Sequence, residues 1–354
     1  MEKNGLLSDT SRIMDRRSFL KLSGLLGIGF FSAGVAIPAG AEAVRFNRKL
    51  YKISKTRLAM GTFVSMTVLH ESKDQAQEAM GEAFLEIDRL TRAISRFDTT
   101  TAVAQLNREG VLKDVPPELA EVISRSLVYY RISDGAFDIT VKPIVDLFKE
   151  KFSNGEGRGP SEAELQNALR LVNGADVEFT GNTIRFSRPG MGITLDGIAK
   201  GYIVDRASAV LSRKGIKNHL INAGGDIRTA GNRRDGKPWT IAIQDPQKQK
   251  RYPDIIHLTD GAVATSGNYE IYFDREKMFH HIVDPRNGQS PEESVSVSVV
   301  TETAMEADAL STTVFVMAPE LGTRFINSRP RCESLVLAKG NRKIHSAGWK
   351  SMTV

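Results

Sequence analysis

The sequence predicts an α+β fold built as one domain. Segments typical of strands and helices follow one another without the regular strand–helix–strand alternation of a parallel α/β sheet. No internal repeat or low-complexity stretch divides the chain, and its 354 residues suffice for a substantial hydrophobic core. The hydrophobic fraction of 41% and the charged fraction of 25% are those of a soluble globular protein.

The first half of the predicted domain joins a strand region to three helices. Residues 57–69 have the composition of a strand, interrupted by a Met-Gly-Thr turn. Apolar residues at helical spacing predict a long amphipathic helix over 72–95. A polar break then leads to a short helix that ends near Asn107. Pro116 opens another helix, and the Asp-Gly pair at Gly135 ends it.

The second half mixes short strands and helices without a regular order. Ser161 and Glu164 form a capping-box pattern at the start of a helix, after a glycine-rich loop. The segments VEFT and TIRF flank Gly181 and predict a hairpin. A strand over 192–195 leads into a helix over 197–215. The remaining predicted elements are strands at 219–227, 239–245, 280–285 and 294–300, a helix at 303–319 and a strand pair near 333–345.

Composition excludes several function classes. The net charge of +6 comes from scattered Lys and Arg without interleaved aromatic residues, which argues against nucleic-acid binding. Cys332 is the single cysteine, so an intramolecular disulfide and a thiolate metal site are excluded. The six histidines contain no H-x-x-x-H pair, which disfavours a zinc site.

The N-terminus resembles a twin-arginine export signal. Arg16 and Arg17 precede an uncharged stretch over 22–41, and the small-x-small pattern Ala-Glu-Ala ends at Ala43. We therefore predict a signal peptide over 1–43 and a mature domain over 44–354, exported to the periplasm or the outer face of the cytoplasmic membrane. The alternative is an uncleaved signal that acts as an N-terminal anchor and provides the sole membrane contact.

The helix at 303–319 combines an apolar composition with three oxygen-bearing side chains. Asp308, Ser311 and Thr312 are spaced at i, i+3 and i+4 and so share one helical face. Carboxylate and hydroxyl oxygens suit Mg²⁺ rather than zinc. Helical Ser and Thr also commonly bond back to the carbonyl of residue i−4, so the pattern alone leaves a structural role open.

The segment LDGIAKGYIVDRA (195–207) predicts an anion site at a strand-to-helix junction. Gly197 allows close backbone approach, the helix N-terminus favours an anion, and Lys200 lies one turn further on. The alternative is an ordinary surface helix with Asp196 as its N-cap.

Three glycine-rich segments predict turns that face a ligand. NAGGDI (222–227) can present backbone N–H groups, GAVATSGNYE (261–270) adds hydroxyls, and HHIVDPRNG (280–288) contains His281 as a candidate base or ligand contact. The alternative for each is a tight connection between strands.

Eight segments, in this order, resemble the ApbE family of FAD:protein FMN transferases, over roughly residues 55–350. They are AMGTFVSM (59–66), GAFDITVKPIVDLF (135–148), TLDGIAKGYIVD (194–205), NAGGDI (222–227), WTIAIQDP (239–246), AVATSGNYE (262–270), HIVDPRNG (281–288) and AMEADALSTTVFV (304–316).

The resemblance implies a fold and a reaction. The fold would be one α+β domain, related to the T-fold, with mixed and mainly antiparallel sheets and a cleft for FAD. The reaction would be the Mg²⁺-dependent transfer of FMN from FAD to a Thr or Ser hydroxyl of an acceptor flavoprotein, with release of AMP. Acceptors of this family include flavin-carrying subunits of membrane redox complexes and extracytoplasmic flavoproteins.

The resemblance also implies site residues. Asp308 and Thr312 match side-chain metal ligands, Ser311 lies in the same turn, and Gly197 would contribute its carbonyl. Lys200 matches a residue that contacts the FAD diphosphate. The other positions that match flavin or nucleotide contacts are Met60, Phe97, Ala136, Phe137, Asp138, Thr194, Thr265, Ser266, His281 and Ile282.

One position departs from the family pattern. Many members have Asp where this chain has Thr194, whereas the acid here is Asp196. Two residues apart on a strand, the two side chains would face the same way, so Asp196 is expected to compensate in part.

Mechanism and alternatives follow from these residues. His281 is the first candidate for the base that deprotonates the acceptor hydroxyl, and Asp284 is the second. Lys200 would neutralise charge on the pyrophosphate. Two other functions stay open: an Mg²⁺-dependent FAD pyrophosphatase that gives FMN and AMP, and a non-catalytic extracytoplasmic FAD-binding protein.

Overall fold

The computed structural model describes residues 42–45, 50–96, 98–153, 159–233, 236–247, 252–268, 280 and 282–352. Its strands are β1 (Glu42–Arg45), β2 (Tyr51–Ala59), β3 (Thr62–His70), β4 (Val111–Lys113), β5 (Val177–Thr180), β6 (Thr183–Phe186), β7 (Asn218–Ala223), β8 (Asp226–Ala230), β9 (Trp239–Ala242), β10 (Ile255–Leu258), β11 (Gly261–Gly267), β12 (Ser294–Thr301), β13 (Glu333–Ala338) and β14 (Arg342–His345). Its α-helices are α1 (Lys73–Ile94), α2 (Ala102–Glu109), α3 (Pro117–Ile132), α4 (Lys142–Ser153), α5 (Glu162–Leu169), α6 (Ala199–Arg213), α7 (Ala304–Val316) and α8 (Pro319–Asn327).

A nine-stranded antiparallel sheet organises the molecule. Its strand order is β1-β2-β3-β7-β8-β11-β12-β13-β14, and two small sheets, β9 with β10 and β4-β6-β5, complete the strands. Helices pack on this framework without a βαβ pattern. The predicted α+β class with mainly antiparallel sheets is therefore confirmed.

The two faces of the large sheet bury separate apolar clusters, because successive strand residues point to opposite sides. One face contributes Met66, Ala264 and Val297, which pack with apolar residues of α1, α6 and α7. On the other face, Val263 packs with Trp239 and Trp349. The large sheet is thus the middle layer of the domain.

Helices α6 and α7 cross in close contact at Gly201. A Cβ atom at this position would overlap the backbone of Ala304, so only glycine permits the approach. The Asp205 carboxylate accepts hydrogen bonds from the first two amides of α7, Ala304 N and Met305 N, both at 2.8 Å. The crossing therefore fixes how the two helices present their side chains.

Several predicted elements are confirmed with their caps. Ser72 is the N-cap of α1, Ser161 and Glu164 form the capping box of α5, and β5 and β6 form the predicted hairpin. The turn between β2 and β3 lies at Met60 and Gly61, both with positive φ.

Other predicted elements are wrong. Residues 192–195 form an irregular segment rather than a strand, and residues 282–285 are likewise outside any strand. The predicted turn after Gly261 is the buried strand β11. Helix α4 (Lys142–Ser153) is not among the elements that the sequence predicts.

The predicted signal peptide falls almost wholly outside the described residues, as residues 1–41 are not described. The predicted boundary between 43 and 44 lies inside β1, whose four residues pair with Tyr51 to Ser54 of β2. Among the described residues, none of the helices combines the length and apolar character required to cross a bilayer.

Candidate active site

A cleft of about 600 Å³ lies where α6, α7, the β2–β3 turn and the segment after Gly135 meet. This volume is within the range of pockets that enclose a small ligand or cofactor. The structure brings together here most residues that the sequence singled out. They are Met60, Ala136, Phe137, Asp138, Thr194, Gly197, Lys200, Thr265, Ser266, Ile282, Asp308 and Thr312.

Four candidate residues are not placed in the cleft. Phe97 and His281 lie outside the described residues. Ser311 is buried behind the cleft wall, where its hydroxyl donates to Asp308 O at 3.0 Å. Asp284 does not line the cleft, and its carboxylate accepts hydrogen bonds from the Arg286 backbone and guanidinium. As second candidate base, Asp284 is therefore disfavoured by position and by its ion pair.

Asp308 supplies a buried carboxylate at the base of the cleft. Its Oδ2 accepts a hydrogen bond from Gly201 N at 3.0 Å, which the α6–α7 crossing makes possible. Burial, reinforced by the charge of Asp226 and opposed by Lys200, raises the pKa of Asp308 to about 8. A carboxylate held in this environment is stabilised by a nearby cation.

Lys200 forms an ion pair with Asp226. Its Nζ lies 2.7 Å from Asp226 Oδ2, and the Asp226 carboxylate is 2% exposed whereas the Lys200 side chain is 33% exposed. The ammonium group thus reaches the cleft from the first turn of α6 while a buried acid at the start of β8 holds it. Lys200, Asp226 and Asp308 form one charged network carried by three elements.

Hydroxyl groups line the floor next to Asp308. Ser266 Oγ lies 2.8 Å from Ser311 Oγ and 3.3 Å from Thr312 Oγ1, so β11 and α7 are joined by side-chain hydrogen bonds. A Cβ atom at Gly197 would lie 3.1 Å from Thr312 Oγ1 and 3.4 Å from the Phe137 ring. The backbone at Gly197 therefore lies directly against this floor.

These donors fit a hard divalent cation. The site offers one buried carboxylate, the Thr312 hydroxyl and the backbone near Gly197. Mg²⁺ is commonly bound by a few protein oxygens of this kind together with oxygens of a substrate phosphate. Within the described part of the chain, no group of three or more His, Cys, Asp or Glu is arranged to hold a metal. The oxygen set is therefore incomplete without oxygens from a ligand or water.

Thr194 and Asp196 have different hydrogen-bond partners. Thr194 lines the cleft and its Oγ1 accepts a hydrogen bond from Asp196 N at 3.3 Å. The Asp196 carboxylate instead binds Arg96, with Nη2 at 2.8 Å from Oδ2. Burial raises the pKa of Asp196, but Arg96 outweighs it and leaves this pKa below its usual value. Residues 192–195 are not a strand, yet Thr194 and Asp196 both line the cleft; Asp196 is not the helix N-cap, which is Ile198.

Asp138 has a structural role in the wall of the cleft. Its carboxylate accepts hydrogen bonds from Thr140 N at 2.7 Å, Thr140 Oγ1 at 2.6 Å and Gly174 N at 2.8 Å. Burial raises the pKa of Asp138 against the opposing effect of these bonds. The side chain fixes the segment that carries Ala136 and Phe137.

Three charged residues of the site were not predicted. Arg96 and Lys149 line the cleft, and burial together with Arg96 lowers the pKa of Lys149. Asp226 belongs to the NAGGDI segment, whose predicted role rests on its backbone amides rather than on its acid. The one local signal for Asp226 is its position at the start of a strand, directly after the Gly224–Gly225 turn.

Comparison with known proteins agrees with this geometry. The ApbE family model matches residues 60–336. The chain is 34% identical over 247 residues to the FAD:protein FMN transferase of Vibrio cholerae, covering 67% of this chain and 74% of that protein. It is 31% identical over 304 residues to the one of Rhodobacter capsulatus, covering 82% of this chain and 57% of that protein.

Solved structures show the same similarity. The ApbE protein of Thermotoga maritima superposes with a TM-score of 0.78 at 30% identity, covering 86% of this chain and 99% of that one. The flavin transferase ApbE of Vibrio cholerae gives a TM-score of 0.73 at 26% identity, covering 88% and 100%.

Proposed function

The chain belongs to the ApbE family, and from this premise we propose that it is an Mg²⁺-dependent enzyme that transfers FMN from FAD to a Thr or Ser hydroxyl of an acceptor flavoprotein. Relatives named FAD:protein FMN transferase support flavin transfer. The observation that carries the proposal is the network of Lys200, Asp226 and Asp308 at the base of a cleft of about 600 Å³.

The network is suited to a pyrophosphate. Phosphoryl transfer depends mainly on positioning and on neutralising charge. Lys200, held by Asp226, offers a fixed cation at the start of α6, where backbone N–H groups also favour an anion. The apolar part of the cleft, which includes Met60, Phe137 and Ile282, offers surface for flat rings. Lys200 would therefore bind the FAD diphosphate while the rings lie along the walls.

Asp308, Thr312 and the backbone at Gly197 are the residues that would hold Mg²⁺. When bound, the ion would act as a Lewis acid that offsets charge on the phosphate oxygens. The raised pKa of Asp308 supports this assignment, because a buried acid beside Asp226 gains most from an added cation. Ser311 supports the floor through Ser266 rather than facing the cleft.

The reaction is a substitution at the FMN phosphorus. The acceptor hydroxyl oxygen forms the new P–O bond, the bond to the AMP phosphate breaks, and AMP leaves with the bridging oxygen. The hydroxyl proton passes to a base, for which His281 stays the candidate, since Asp284 is bound to Arg286. Lys200 would neutralise charge on the leaving phosphate.

A direct assay tests the proposal. The purified protein is incubated with FAD, Mg²⁺ and a flavin-carrying redox domain, next to the same domain with its acceptor Thr replaced by Val. Transfer gives fluorescence that stays with the Thr domain on a denaturing gel, together with free AMP. Free FMN and AMP without labelled domain would instead identify a pyrophosphatase, and unchanged FAD would identify a binding protein.

We also propose that the enzyme acts outside the cytoplasmic membrane. The paired Arg16 and Arg17, the uncharged stretch and the small residues up to Ala43 support export. Fractionation of cells that express the full chain, and of cells that express an Arg16→Lys/Arg17→Lys variant, tests this. The variant should accumulate in the cytoplasm, and an unchanged distribution would exclude this route.

A further inference from the structure

A second groove, of about 650 Å³, lies beside the cleft. Asp138 and Pro285 line both spaces and form the wall between them. The segment over 282–289 faces the cleft with Ile282 and Val283 and faces the groove with Arg286, Asn287 and Gln289. The groove is thus built from the reverse side of the cleft wall.

The dividing wall is held rigidly by its own hydrogen bonds. Asp284 N donates to Gln289 O and Gly288 N donates to Asp284 O, both at 2.8 Å. Gly288 has a φ of 73° and packs against α5, where a Cβ atom would lie 2.6 Å from Leu165 Cδ1. Asn287 Oδ1 accepts a hydrogen bond from Gln289 N at 2.9 Å, so the turn satisfies its own backbone and carries the exposed Gln289 side chain on a fixed support.

The rest of the groove lining is also preorganised. Tyr130 donates its hydroxyl hydrogen to Asn173 Oδ1 at 2.6 Å. Gln166, on the exposed side of α5, donates to Glu162 Oε1 at 2.8 Å. Both parts of the lining therefore present amide and hydroxyl groups in defined positions, at little cost in side-chain ordering on binding.

The lining of the groove is polar and balanced in charge. Its exposed charged residues are two acids, Asp134 and Glu162, and two bases, Arg170 and Arg286. The Arg286 guanidinium is already paired with Asp284. A groove without excess positive charge does not favour a phosphate or nucleotide. Amide side chains, which both donate and accept, instead match the backbone of an extended polypeptide.

We propose that this groove binds the acceptor polypeptide as an extended segment and directs its hydroxyl over the wall at Pro285 into the cleft. The inference rests on the proposed flavin transfer, which requires a polypeptide next to the donor nucleotide. The shared wall supplies the continuity between the two sites. Gln166 on α5 and Gln289 on the turn that packs against α5 both line the groove and are the residues that hold the segment.

Kinetics of two variants test the groove. Gln166→Ala and Gln289→Ala each remove one amide, and we expect each to raise the KM for the flavin-carrying redox domain about fivefold, since one hydrogen bond contributes about 1 kcal/mol. The double variant should raise it by more than either alone. The dissociation constant for FAD and the maximal rate should stay near those of the unchanged protein.

Gln105→Ala is the matched control. Gln105 is also exposed on a helix and donates to a Glu four residues away, Glu109, at 3.1 Å, but it lines neither space. Its substitution should leave the KM for the redox domain unchanged. An unchanged KM in the Gln166/Gln289 double variant, with transfer by the unchanged protein intact, would overturn the groove but not the flavin transferase. A change in FAD affinity would instead make the groove part of the donor site.

Cross-linking gives an independent measurement. A photoreactive phenylalanine at position 166 should form a covalent product with the redox domain, and mass spectrometry should locate it near the flavinylated Thr. The same group at position 105 should form none. Equal cross-linking from both positions, or a product far from the Thr, would refute the assignment. Failure of the unchanged protein to label any redox domain would refute the transferase itself, and with it this inference.

Discussion

The two faces of the nine-stranded sheet are built for different purposes. One face is covered by β9, β10 and the helical turn Trp349–Met352, and it buries Trp239, Trp349 and aliphatic residues. The indole N–H groups of the two tryptophans donate to Ala230 O and Asp254 Oδ2. The face covered by α6 and α7 also has an apolar core, yet near the cleft it buries Asp226 and Asp308. The first face is mainly apolar, whereas the second buries two carboxylates near the cleft.

The difference shows that one face of the sheet mainly stabilises the fold, whereas the other carries the charged groups of the candidate site. A buried polar atom costs little when a partner satisfies it, as with the two indoles, and costs much when it carries charge. Asp226 and Asp308 lie close together with Lys200 as their nearby cation. The α6–α7 face therefore carries an electrostatic cost that a bound ligand can offset.

Removal of the Asp308 carboxylate should have the largest effect on flavin transfer. Asp308→Ala should lower flavin transfer at saturating Mg²⁺ about 1,000-fold, the scale of losing one electrostatic contribution to a transition state. The companion variant Asp308→Asn keeps an acceptor for Gly201 N and should lose a similar factor. Thermal unfolding of Asp308→Asn without Mg²⁺ at pH 7 should occur near the temperature of the unchanged protein, because a carboxyl with a pKa of about 8 is already mostly neutral there and the amide keeps the Gly201 N hydrogen bond. Transfer near the unchanged rate would refute the metal assignment.

Removal of Trp349 should have the opposite pattern. Trp349 is fully buried, so Trp349→Ala should reduce the free energy of unfolding by about 3 kcal/mol or more, as for other buried aromatic residues. Transfer per folded molecule should remain near that of the unchanged protein. Denaturant titration and an activity assay on the same sample measure both quantities. A loss of activity in the folded fraction would show that this face also serves the site.

The Lys200–Asp226 pair allows stability and activity to be separated within one network. Lys200→Met leaves Asp226 buried beside Asp308 and should cost about 2 kcal/mol of unfolding free energy, less than for a fully buried pair because Lys200 is 33% exposed. Adding Asp226→Asn should restore the stability. Flavin transfer should stay low in both variants. If the double variant regained activity, Lys200 would serve the fold rather than the substrate.

The smallest expected effect is a pH dependence of the unfolding free energy, caused by the buried His219 of β7, which packs against α6. His219 bonds Ser208 Oγ at 2.7 Å, and burial lowers its pKa from 6.5 to about 4. Below pH 6.5 the unfolded chain binds a proton that the folded chain excludes, so stability should fall by about 1.4 kcal/mol per pH unit until pH 4 is approached. His219→Gln should flatten this slope of unfolding free energy against pH. The exposed His345→Gln is the control and should leave the slope unchanged.

Local patterns predicted the elements better than their connections. The caps at Ser72 and Ser161 and the tight turns act within a few residues, so the sequence displays their causes. Residues 192–195 look like a strand because they are apolar, but Asn107 satisfies the backbone of Ile193 through two side-chain hydrogen bonds. A long-range partner of this kind cannot be seen in a local window.

The candidate site shows the same limit. Helical spacing placed Asp308 and Thr312 on one face, and both line the cleft, yet Ser311 at i+3 turns behind it towards Ser266. The pairing of Asp196 with Arg96 joins residues 100 positions apart, and no local pattern indicates it. The ion pair of Asp226 with Lys200 cannot be read from the sequence for the same reason, because the two residues lie on different elements.

The close approach at Gly201 has a consequence for how the enzyme can vary. Lys200 and Asp308 sit on different helices, and the spacing between them is set where Gly201 touches Ala304. Any larger residue at 201 would push the helices apart and disturb both charged groups at once. A genetic screen for inactive but folded enzyme should therefore recover substitutions at this glycine, although it contributes no side chain to the cleft.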